Sequence, residues 1–452
     1  MSDGKYFAVM RDWGKTYPVV DRAEGIYLYD TEGNRYIDGS GGSSICTSVG
    51  HGVKEIYEAM YEQGKKISYA PTHAFTGDAV VKLAERVASV APGDLKNNCR
   101  VWFSCTGTDS TDDAVRLARQ YWVEKGKSSK FQVISRWQAF HGNNIAVAGF
   151  SGISARRKLF QPMFVDSIHL PPAYCYRCPY EKTHPECNLL CARALETAIK
   201  QQGPENISAF IAEPMVGAAL AAVPAPEGYF QKIREICDKY DVLFIADEVM
   251  TGWGRTGKRW AIEYWGVTPD IVATAKGMTS GYIPIAAIIA KESIWSVLEA
   301  NKSPFKSGHT LSANIIASAA AIASIKYMDE NNLTEKAAVR GKQLLSGLEK
   351  IAAKHPTIGR VSGLGLMVGF EFVKDKASKI PFPQSANVSK MLEKAALKRG
   401  LVIFPCSGCV DGVEGSMVML GPPLVITERQ VNDMLLILDE SIAEVEHQLG
   451  SV

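Results

Sequence analysis

The chain has 452 residues, of which 46% are hydrophobic and 22% are charged, and its formal net charge is +2. The length predicts two or three lobes rather than one core, and the near-neutral charge gives no sign of a nucleic-acid or membrane-surface partner. No apolar run reaches transmembrane length. Ten cysteines and an N-terminus without a signal-peptide pattern predict reduced thiols in the cytoplasm.

Residues 1–75 have the pattern of an N-terminal arm. Two short strands at 25–30 and 35–38 flank the sequence TEGN, which is good hairpin-turn chemistry. The Gly- and Ser-rich stretch at 40–44 follows. Its small residues would let the backbone approach a ligand, although an ordinary loop is the more common outcome.

From residue 76 onward, helices and strands alternate, which predicts a mainly parallel sheet. A strand at 101–103 leads into TGTD at 106–109 and then a helix. The free N–H groups at that helix start are suited to a phosphate, and an ordinary N-cap is the alternative. A later strand at 131–135 leads to FHG at 140–142, where the aromatic ring would stack on a flat cofactor or pack in the core.

Two charged residues follow buried strands within residues 242–276. Asp247 ends the apolar run 242–246, and Lys276 comes just after the run 271–273. Open α/β sheets bind ligands at the carboxyl ends of their strands. A lysine and a carboxylate there suit pyridoxal phosphate, because the lysine forms a Schiff base and the carboxylate keeps the pyridine nitrogen protonated. Taken alone, this spacing is more commonly explained by two surface charges.

The glycine run between them, GWGRTG at 252–257, matches a dinucleotide-binding pattern and, with Lys258, nearly matches a phosphate-binding P-loop. Arg259 stands where the P-loop needs Ser or Thr. The run also lacks the strand before it and the amphipathic helix after it that both loops require. Both nucleotide hypotheses are therefore disfavoured.

A cysteine-rich insertion covers about residues 171–195. Its pattern is C-x2-C, a gap of eight residues, then C-x3-C, formed by Cys175, Cys178, Cys187 and Cys191. In a reducing compartment this spacing resembles a structural zinc or iron–sulfur clip, with a gap shorter than in common zinc ribbons. An insertion loop with free thiols is the more common alternative. Cys406 and Cys409 form a C-x-x-C pair without a thioredoxin-like context, so we expect unpaired thiols there.

Residues 330–452 predict a C-terminal lobe. Strands are expected at 366–372, 401–404 and 416–420, and a helix ends at Gly400. The last helix begins with a capping box of Thr427 and Gln430.

Taken together and in this order, these motifs resemble the class III (omega) aminotransferases of PLP fold type I over nearly the whole chain. The strongest match joins DEV at 247–249, the glycine run 252–257, Asp270 and Lys276. The other matches are TGTD at 106–109, FHG at 140–142, EP at 213–214, GHT at 308–310 and GPPL at 421–424. The resemblance implies an α/β fold with a large, mainly parallel sheet domain and a smaller α+β domain made of both termini. The predicted boundaries are 1–75, 76–329 and 330–452.

The resemblance also implies roles for the matching residues. Lys276 would hold pyridoxal 5′-phosphate and shuttle a proton, Asp247 would pair with the pyridine nitrogen, and Glu213 would lie near the lysine and substrate. Further roles are Gly107 and Thr108 at the phosphate, Phe140 and Val249 on the ring faces, His141 and Asp112 in support, and Thr310 at the phosphate of a neighbouring subunit. That last role implies a homodimer or a dimer of dimers.

Departures from the family pattern bear on the substrate. Asn143 stands where acetylornithine-type members have a carboxylate-binding arginine, and residues 409–420 contain no arginine where many amine:pyruvate members have one. Arg156 and Arg157 are the candidate replacements, although such residues are more often surface charges. The stretch 151–171 looks most like the omega-amino acid:pyruvate subgroup, in which the wall near Ile45 is often aromatic.

We therefore expect a transaminase that moves an amino group from an omega-amino acid or primary amine to a 2-oxo acid such as pyruvate. An aminomutase or amino-acid racemase of the same fold would use the same cofactor residues and stays open. A non-catalytic metal-binding protein built on the cysteine insertion is a third hypothesis, which the presence of Lys276 and Asp247 disfavours.

Overall fold

The computed structural model describes Asp12 and residues 15–165 and 167–450. The strands in chain order are β1 (Val20–Glu24), β2 (Tyr27–Asp30), β3 (Arg35–Asp38), β4 (Cys99–Ser104), β5 (Gln132–Arg136), β6 (Ile168–Leu170), β7 (Ile207–Ala212), β8 (Met215–Val216), β9 (Val223–Pro224), β10 (Leu243–Asp247), β11 (Ile271–Thr274), β12 (Ala286–Lys291), β13 (Ile358–Leu364), β14 (Met367–Phe372), β15 (Leu401–Val402), β16 (Phe404–Ser407) and β17 (Ser416–Leu420).

The helices in chain order are α1 (Lys54–Lys66), α2 (Asp78–Ser89), α3 (Gly107–Glu124), α4 (Ile145–Phe150), α5 (Ser154–Arg157), α6 (Leu190–Gln202), α7 (Tyr229–Lys239), α8 (Glu292–Ala300), α9 (Ile315–Glu330), α10 (Leu333–Lys354), α11 (Val388–Lys398) and α12 (Glu428–Gln448). Within the described ranges, none of them combines the length and the apolar character that crossing a bilayer requires.

A seven-stranded sheet forms the centre of the molecule, in the order β4-β12-β11-β10-β7-β5-β6. Strand β10 runs parallel to β7 and β11, and β12 runs antiparallel to both of its neighbours, β11 and β4. The predicted α/β fold with a mainly parallel sheet is therefore confirmed.

Helices cover both faces of this sheet, and the sequence of β10 shows why. All five of its residues are buried, as expected for a parallel strand whose two faces are both covered. Phe244 stacks on Phe230 of α7 with 5.6 Å between ring centroids, while Ile245 lies in the cluster that contains Leu117 of α3. Burying each such side chain contributes about 1.5–3 kcal/mol. Strand β10 is thereby fixed rigidly between two helical layers.

The two ends of the chain meet in the smaller sheets. Strand β15 pairs in parallel with β3, placing Leu401 opposite Ile37, and β16 pairs with β17 in a second four-stranded sheet. The single strand predicted at 401–404 is thus wrong, because the chain leaves one sheet for the other at the buried Ile403. This pairing fits a smaller unit made of both termini, and the domain boundaries themselves stay predictions.

The glycine run at 252–257 is a structural connection rather than a nucleotide loop. Turns occupy this region, without the amphipathic helix that a phosphate-binding loop opens. Buried Arg255 donates to the carbonyl oxygens of Leu366 at 3.1 Å, Pro422 at 2.5 Å and Thr47 at 3.2 Å. Burial lowers the pKa of Arg255 to about 9. The run therefore ties the end of β10 to the turn between β13 and β14, to the loop after β17 and to the loop after β3.

Candidate active site

Strand pairing brings Asp247 and Lys276 to the same edge of the large sheet. Asp247 is the last residue of β10 and lies opposite Ala273 of β11, three residues before Lys276. Lys276 has a φ of +36°, which residues with a Cβ rarely adopt. Its carbonyl accepts a hydrogen bond from Ser280 N at 2.8 Å. The backbone therefore fixes the lysine at the carboxyl end of the strands.

His141 holds Asp247 in place. Its Nδ1 lies 2.7 Å from Asp247 Oδ2, and the two side chains are 0% and 4% exposed. Asp247 Oδ1 accepts from Val249 N at 3.0 Å. The backbone of His141 is fixed in turn, because its N–H donates to Ser151 Oγ at 3.0 Å and its carbonyl accepts from Thr111 Oγ1 at 2.7 Å. The carboxylate is thus positioned by a ring and by its own backbone.

Glu213 lies buried beside this pair. Its two oxygens accept from Phe140 N at 3.0 Å and Gly217 N at 2.9 Å. Burial raises the pKa of Glu213, while the neighbouring His141 lowers it. The carbonyl of Glu213 also accepts from Arg136 Nη2 at 2.7 Å. Both the side chain and the backbone of this acid are therefore held.

The start of helix α3 closes the site. Thr106 and Asp109 form a capping box, so the N-cap expected from the sequence is present. The next N–H groups, those of Gly107 and Thr108, have no acceptor within the helix. A Cβ on Gly107 would lie 2.7 Å from Val249 Cγ1, so any other residue at this position would have to displace the Val249 side chain. The start of α3 therefore combines two N–H groups that lack an acceptor within the helix with a close contact between Gly107 and Val249.

Two cavities meet at Lys276. The inner one has a volume of about 150 Å³, and its walls include Gly107, Thr108, Phe140, His141, Glu213, Asp247, Val249 and Lys276. The outer one, of about 1030 Å³, shares Phe140, Met250 and Lys276 with it. Eight predicted site residues from distant parts of the chain thus line one inner cavity.

The environment of Lys276 favours the neutral amine. Although part of the side chain is accessible from the cavities, desolvation lowers the pKa of its amino group, and Cys46, Asp247 and Glu213 oppose that shift. A buried lysine with a lowered pKa is suited to act as a nucleophile or base. Cys46, which no motif had singled out as a neighbour of this amine, is thereby placed close to it.

Two predicted residues do not join the inner cavity. Thr310 is exposed and lines neither cavity of its own chain, and its carbonyl accepts from Tyr69 Oη at 2.7 Å. Asp112 lies one turn further along α3 and pairs with Arg116, with 2.7 Å between Asp112 Oδ2 and Arg116 Nε. A supporting role for Asp112 at the cofactor therefore gains no contact here.

The outer cavity is lined by residues that sequence reasoning had not ranked. Ser43 and Ser44 belong to the Gly- and Ser-rich stretch, so that stretch borders the cavity, and its approach to a ligand stays a prediction. Arg156 of α5 also lines this cavity, although the sequence favoured a surface charge. The sequence shows the small residues at 40–44 and the arginine pair at 156–157. A loop and a surface charge are the more common interpretations of these two features.

The cysteine insertion looks different. All four of its cysteines are free and line one small cavity together with His184. Within residues 12, 15–165 and 167–450, no three Cys, His, Asp or Glu side chains come together closely enough to hold a metal ion. Metal binding there stays a prediction that this geometry does not support. Cys406 and Cys409 are also unpaired, as expected.

The family of this site follows from a comparison of the whole chain. The model of the class-III aminotransferases matches residues 9–442. The chain belongs to this family of enzymes. Class-III aminotransferases depend on pyridoxal phosphate, which agrees with a lysine and a carboxylate on one cavity.

Individual relatives of this aminotransferase cover almost its full length. A putrescine–pyruvate aminotransferase of Pseudomonas aeruginosa is 33% identical and covers 94% of this chain and 91% of its own. The structure of a transaminase from the marine bacterium Virgibacillus has a TM-score of 0.91, 33% identity and 99% coverage of both chains. An (S)-enantioselective omega-transaminase from Thermomicrobium roseum has a TM-score of 0.88 and 35% identity, covering 95% of this chain and 93% of its own.

Proposed function

We propose that this aminotransferase moves an amino group from a primary amine or omega-amino acid to a 2-oxo acid such as pyruvate, with pyridoxal 5′-phosphate as its cofactor. The observation that carries the proposal is the convergence of Lys276, Asp247 and Glu213 on one inner cavity that opens into a larger one. The names of a putrescine–pyruvate aminotransferase and an omega-transaminase among similar proteins support the same substrate class.

The residues of the inner cavity fit this cofactor. The unpaired N–H groups of Gly107 and Thr108 at the start of α3 suit its phosphate. The carboxylate of Asp247 suits a protonated pyridine nitrogen, and Phe140 and Val249 offer apolar surfaces to a flat ring. The missing side chain of Gly107 leaves room for the close approach of Val249.

When bound, the cofactor accepts the amino group from the donor and delivers it to the 2-oxo acid. Lys276 would hold the cofactor covalently and, once free, move a proton at the substrate carbon, because its lowered pKa favours the neutral amine. Asp247 would keep the pyridine nitrogen charged, and His141 would keep the carboxylate in position through the 2.7 Å contact. Glu213, pinned by two backbone N–H groups, would border the substrate at the lysine.

The outer cavity would take the substrates. Its wall contains the apolar side chains of Ile145, Ile153, Leu159, Phe160 and Met250. Such a wall suits the hydrocarbon part of a primary amine and excludes water from the reacting carbon. The donor is therefore expected to carry its amino group at one end of an aliphatic or aromatic body.

A second copy of the chain would complete the site. Thr310 lines neither cavity of its own chain, and five large apolar side chains between residues 57 and 75 are 40–67% exposed. A cavity of about 510 Å³ lies between that stretch and residues 307–315. Exposed apolar surface of this kind marks an interface. We expect a homodimer, or a dimer of dimers, in light scattering after size exclusion, with Thr310 at the phosphate of the partner site.

The proposal is tested with a panel of amines and omega-amino acids, each incubated with pyruvate or 2-oxoglutarate. We expect alanine to form from pyruvate and at least one donor, and not in Lys276→Ala. Racemisation or internal amino migration of one amino acid, with no new amino acid formed from any acceptor, would contradict a transaminase.

A further inference from the structure

The outer cavity is lined by three basic side chains, those of Lys276, Arg156 and Arg157. If the proposed function holds, a 2-oxo acid must place its carboxylate in this cavity while its carbonyl carbon lies near Lys276. An anion inside a partly apolar cavity needs a cationic partner. Since Lys276 serves the reacting carbon, the choice lies between the two arginines of α5.

Arg157 is committed to the fold. Its Nη1 donates to the carbonyl oxygens of Ala148 at 2.6 Å, Gly149 at 2.5 Å and Ser151 at 2.6 Å. Its guanidinium also lies 4.9 Å from the ring centroid of Phe164, and burial lowers its pKa. These contacts stabilise the end of α4. If Arg157 turned toward a ligand instead, three carbonyl oxygens would lose their hydrogen-bond donor.

Arg156 lies next to the proposed cofactor cradle. Its guanidinium is 4.7 Å from the ring centroid of Phe140, a residue that lines both cavities. Its Nη1 donates to Asn143 Oδ1 at 3.3 Å, and its side chain is exposed. The ring of Phe140 therefore separates the Arg156 guanidinium from the inner cavity.

Helix α5, which carries Arg156, lies beside the C-terminal segment, because a Cβ added to Gly412 would lie 2.5 Å from Ser154 Oγ. Burial raises the pKa of Cys406 on β16 to about 12, and the nearby charge of Arg156 opposes that rise. The segment after β16, residues 409–420, contains neither arginine nor lysine. Helix α5 thus places Arg156 near a part of the C-terminal segment that contains no basic side chain.

We propose that Arg156 binds the carboxylate of the 2-oxo acid acceptor and of omega-amino acid donors, and so determines which substrates this aminotransferase accepts. The planar fork of a guanidinium matches a carboxylate with two parallel hydrogen bonds. Primary amines without a carboxylate use only the apolar wall. Donors with and without a carboxylate are therefore distinguished by one side chain.

The test compares two half-reactions of the cofactor-loaded protein, followed by absorbance. In Arg156→Gln, the pyruvate concentration for half-maximal rate should rise about 10- to 100-fold, as expected for the loss of a charge-assisted pair. The maximal rate with pyruvate, and the half-reaction with 1-phenylethylamine, should stay within about threefold of the unchanged protein. Arg156→Lys should restore part of the affinity, since it keeps the charge but not the fork.

Lys158→Gln is the matched control. Lys158 is exposed on the same segment and does not line the outer cavity, so this change removes an equal charge without touching the site. Binding of propanoate, a carboxylate that cannot react, is measured on the same proteins by ligand-observed NMR. It should weaken in Arg156→Gln and not in Lys158→Gln.

The outcomes separate the two proposals. If Arg156→Gln and Lys158→Gln transfer amino groups to pyruvate equally well, only the proposed role of Arg156 is overturned. A protein that transfers no amino group to any acceptor overturns the proposed function, and propanoate binding then still decides the role of Arg156. Equal propanoate binding by all three proteins, or no binding by the unchanged protein, contradicts the proposed role of Arg156.

Discussion

The residues that line the inner cavity are spread over positions 106–276 and meet at Lys276, whereas the four cysteines at 175–191 lie close together in the sequence and form no metal site as they stand. The difference lies in what positions each group. Parallel pairing of β10 with β11 fixes the register of the two strand ends, so residues just past them converge. The cysteine insertion has no such pairing within it, and thiol spacing alone brings no ligands together.

The largest effect is expected at Lys276. Lys276→Ala should lower the rate of amino transfer by about 10⁴-fold or more, since both covalent attachment and proton transfer are lost. Lys258→Ala is the control, because Lys258 donates to the carbonyl of Glu263 and lines neither cavity. Initial rates of alanine formation measure both. Comparable rates in the two variants would mean that Lys276, at the edge of the sheet, takes no part in the reaction.

A smaller loss is expected at Asp247. Asp247→Asn leaves the buried His141 beside a neutral group and removes the charge that favours a protonated pyridine nitrogen. Breaking such a buried pair costs about 2–5 kcal/mol, so kcat/KM should fall by roughly 10²- to 10³-fold. The neighbouring Glu248 is the control, since its carboxylate accepts from Ala261 N and Ile262 N instead of lining a cavity. An equal loss in Glu248→Gln would mean that both variants act through the fold.

The same contrast explains what the sequence could predict. The buried run before Asp247 and the N-cap at Thr106 are local patterns with one stable outcome, so the strand, the helix and the convergence at Lys276 were predictable. The division of residues 401–407 between two sheets depends on which edge strand is available, and no local pattern encodes that. The role of α5 depends on the path of residues 151–160 beside the cavity, so Arg156 and a surface arginine look alike in sequence.

Glu248 provides a pH test of the same strand end. Burial raises its pKa to about 7, against an ordinary value of 4.5. The folded protein therefore keeps this proton to higher pH than the unfolded chain does, and stability falls as pH rises from about 4.5 through 7. The contribution is at most roughly 3 kcal/mol. Urea unfolding at pH 5 and pH 8 should show this fall in the unchanged protein and a weaker one in Glu248→Gln. Parallel pH dependence of the two would contradict it.

The smallest effect concerns the cysteines. Cys175 is exposed, whereas Cys237, Cys406 and Cys409 are buried. A thiol reagent such as DTNB should therefore modify Cys175 first and reach the buried three only after unfolding. Burial also raises the pKa of Cys191 to about 11, which slows its reaction. If Cys175 reacts only after a chelator is added, and metal is released with it, the four cysteines do close around an ion and the contrast with the sheet edge disappears.

The central claim is that the residues converging on the inner cavity hold the cofactor at Lys276. Borohydride reduction of the cofactor-loaded protein, followed by proteolysis and mass spectrometry, identifies the lysine that carries it. We expect a reduced pyridoxyl group on the peptide that contains Lys276. The same group on any other lysine, or on none, would contradict the account.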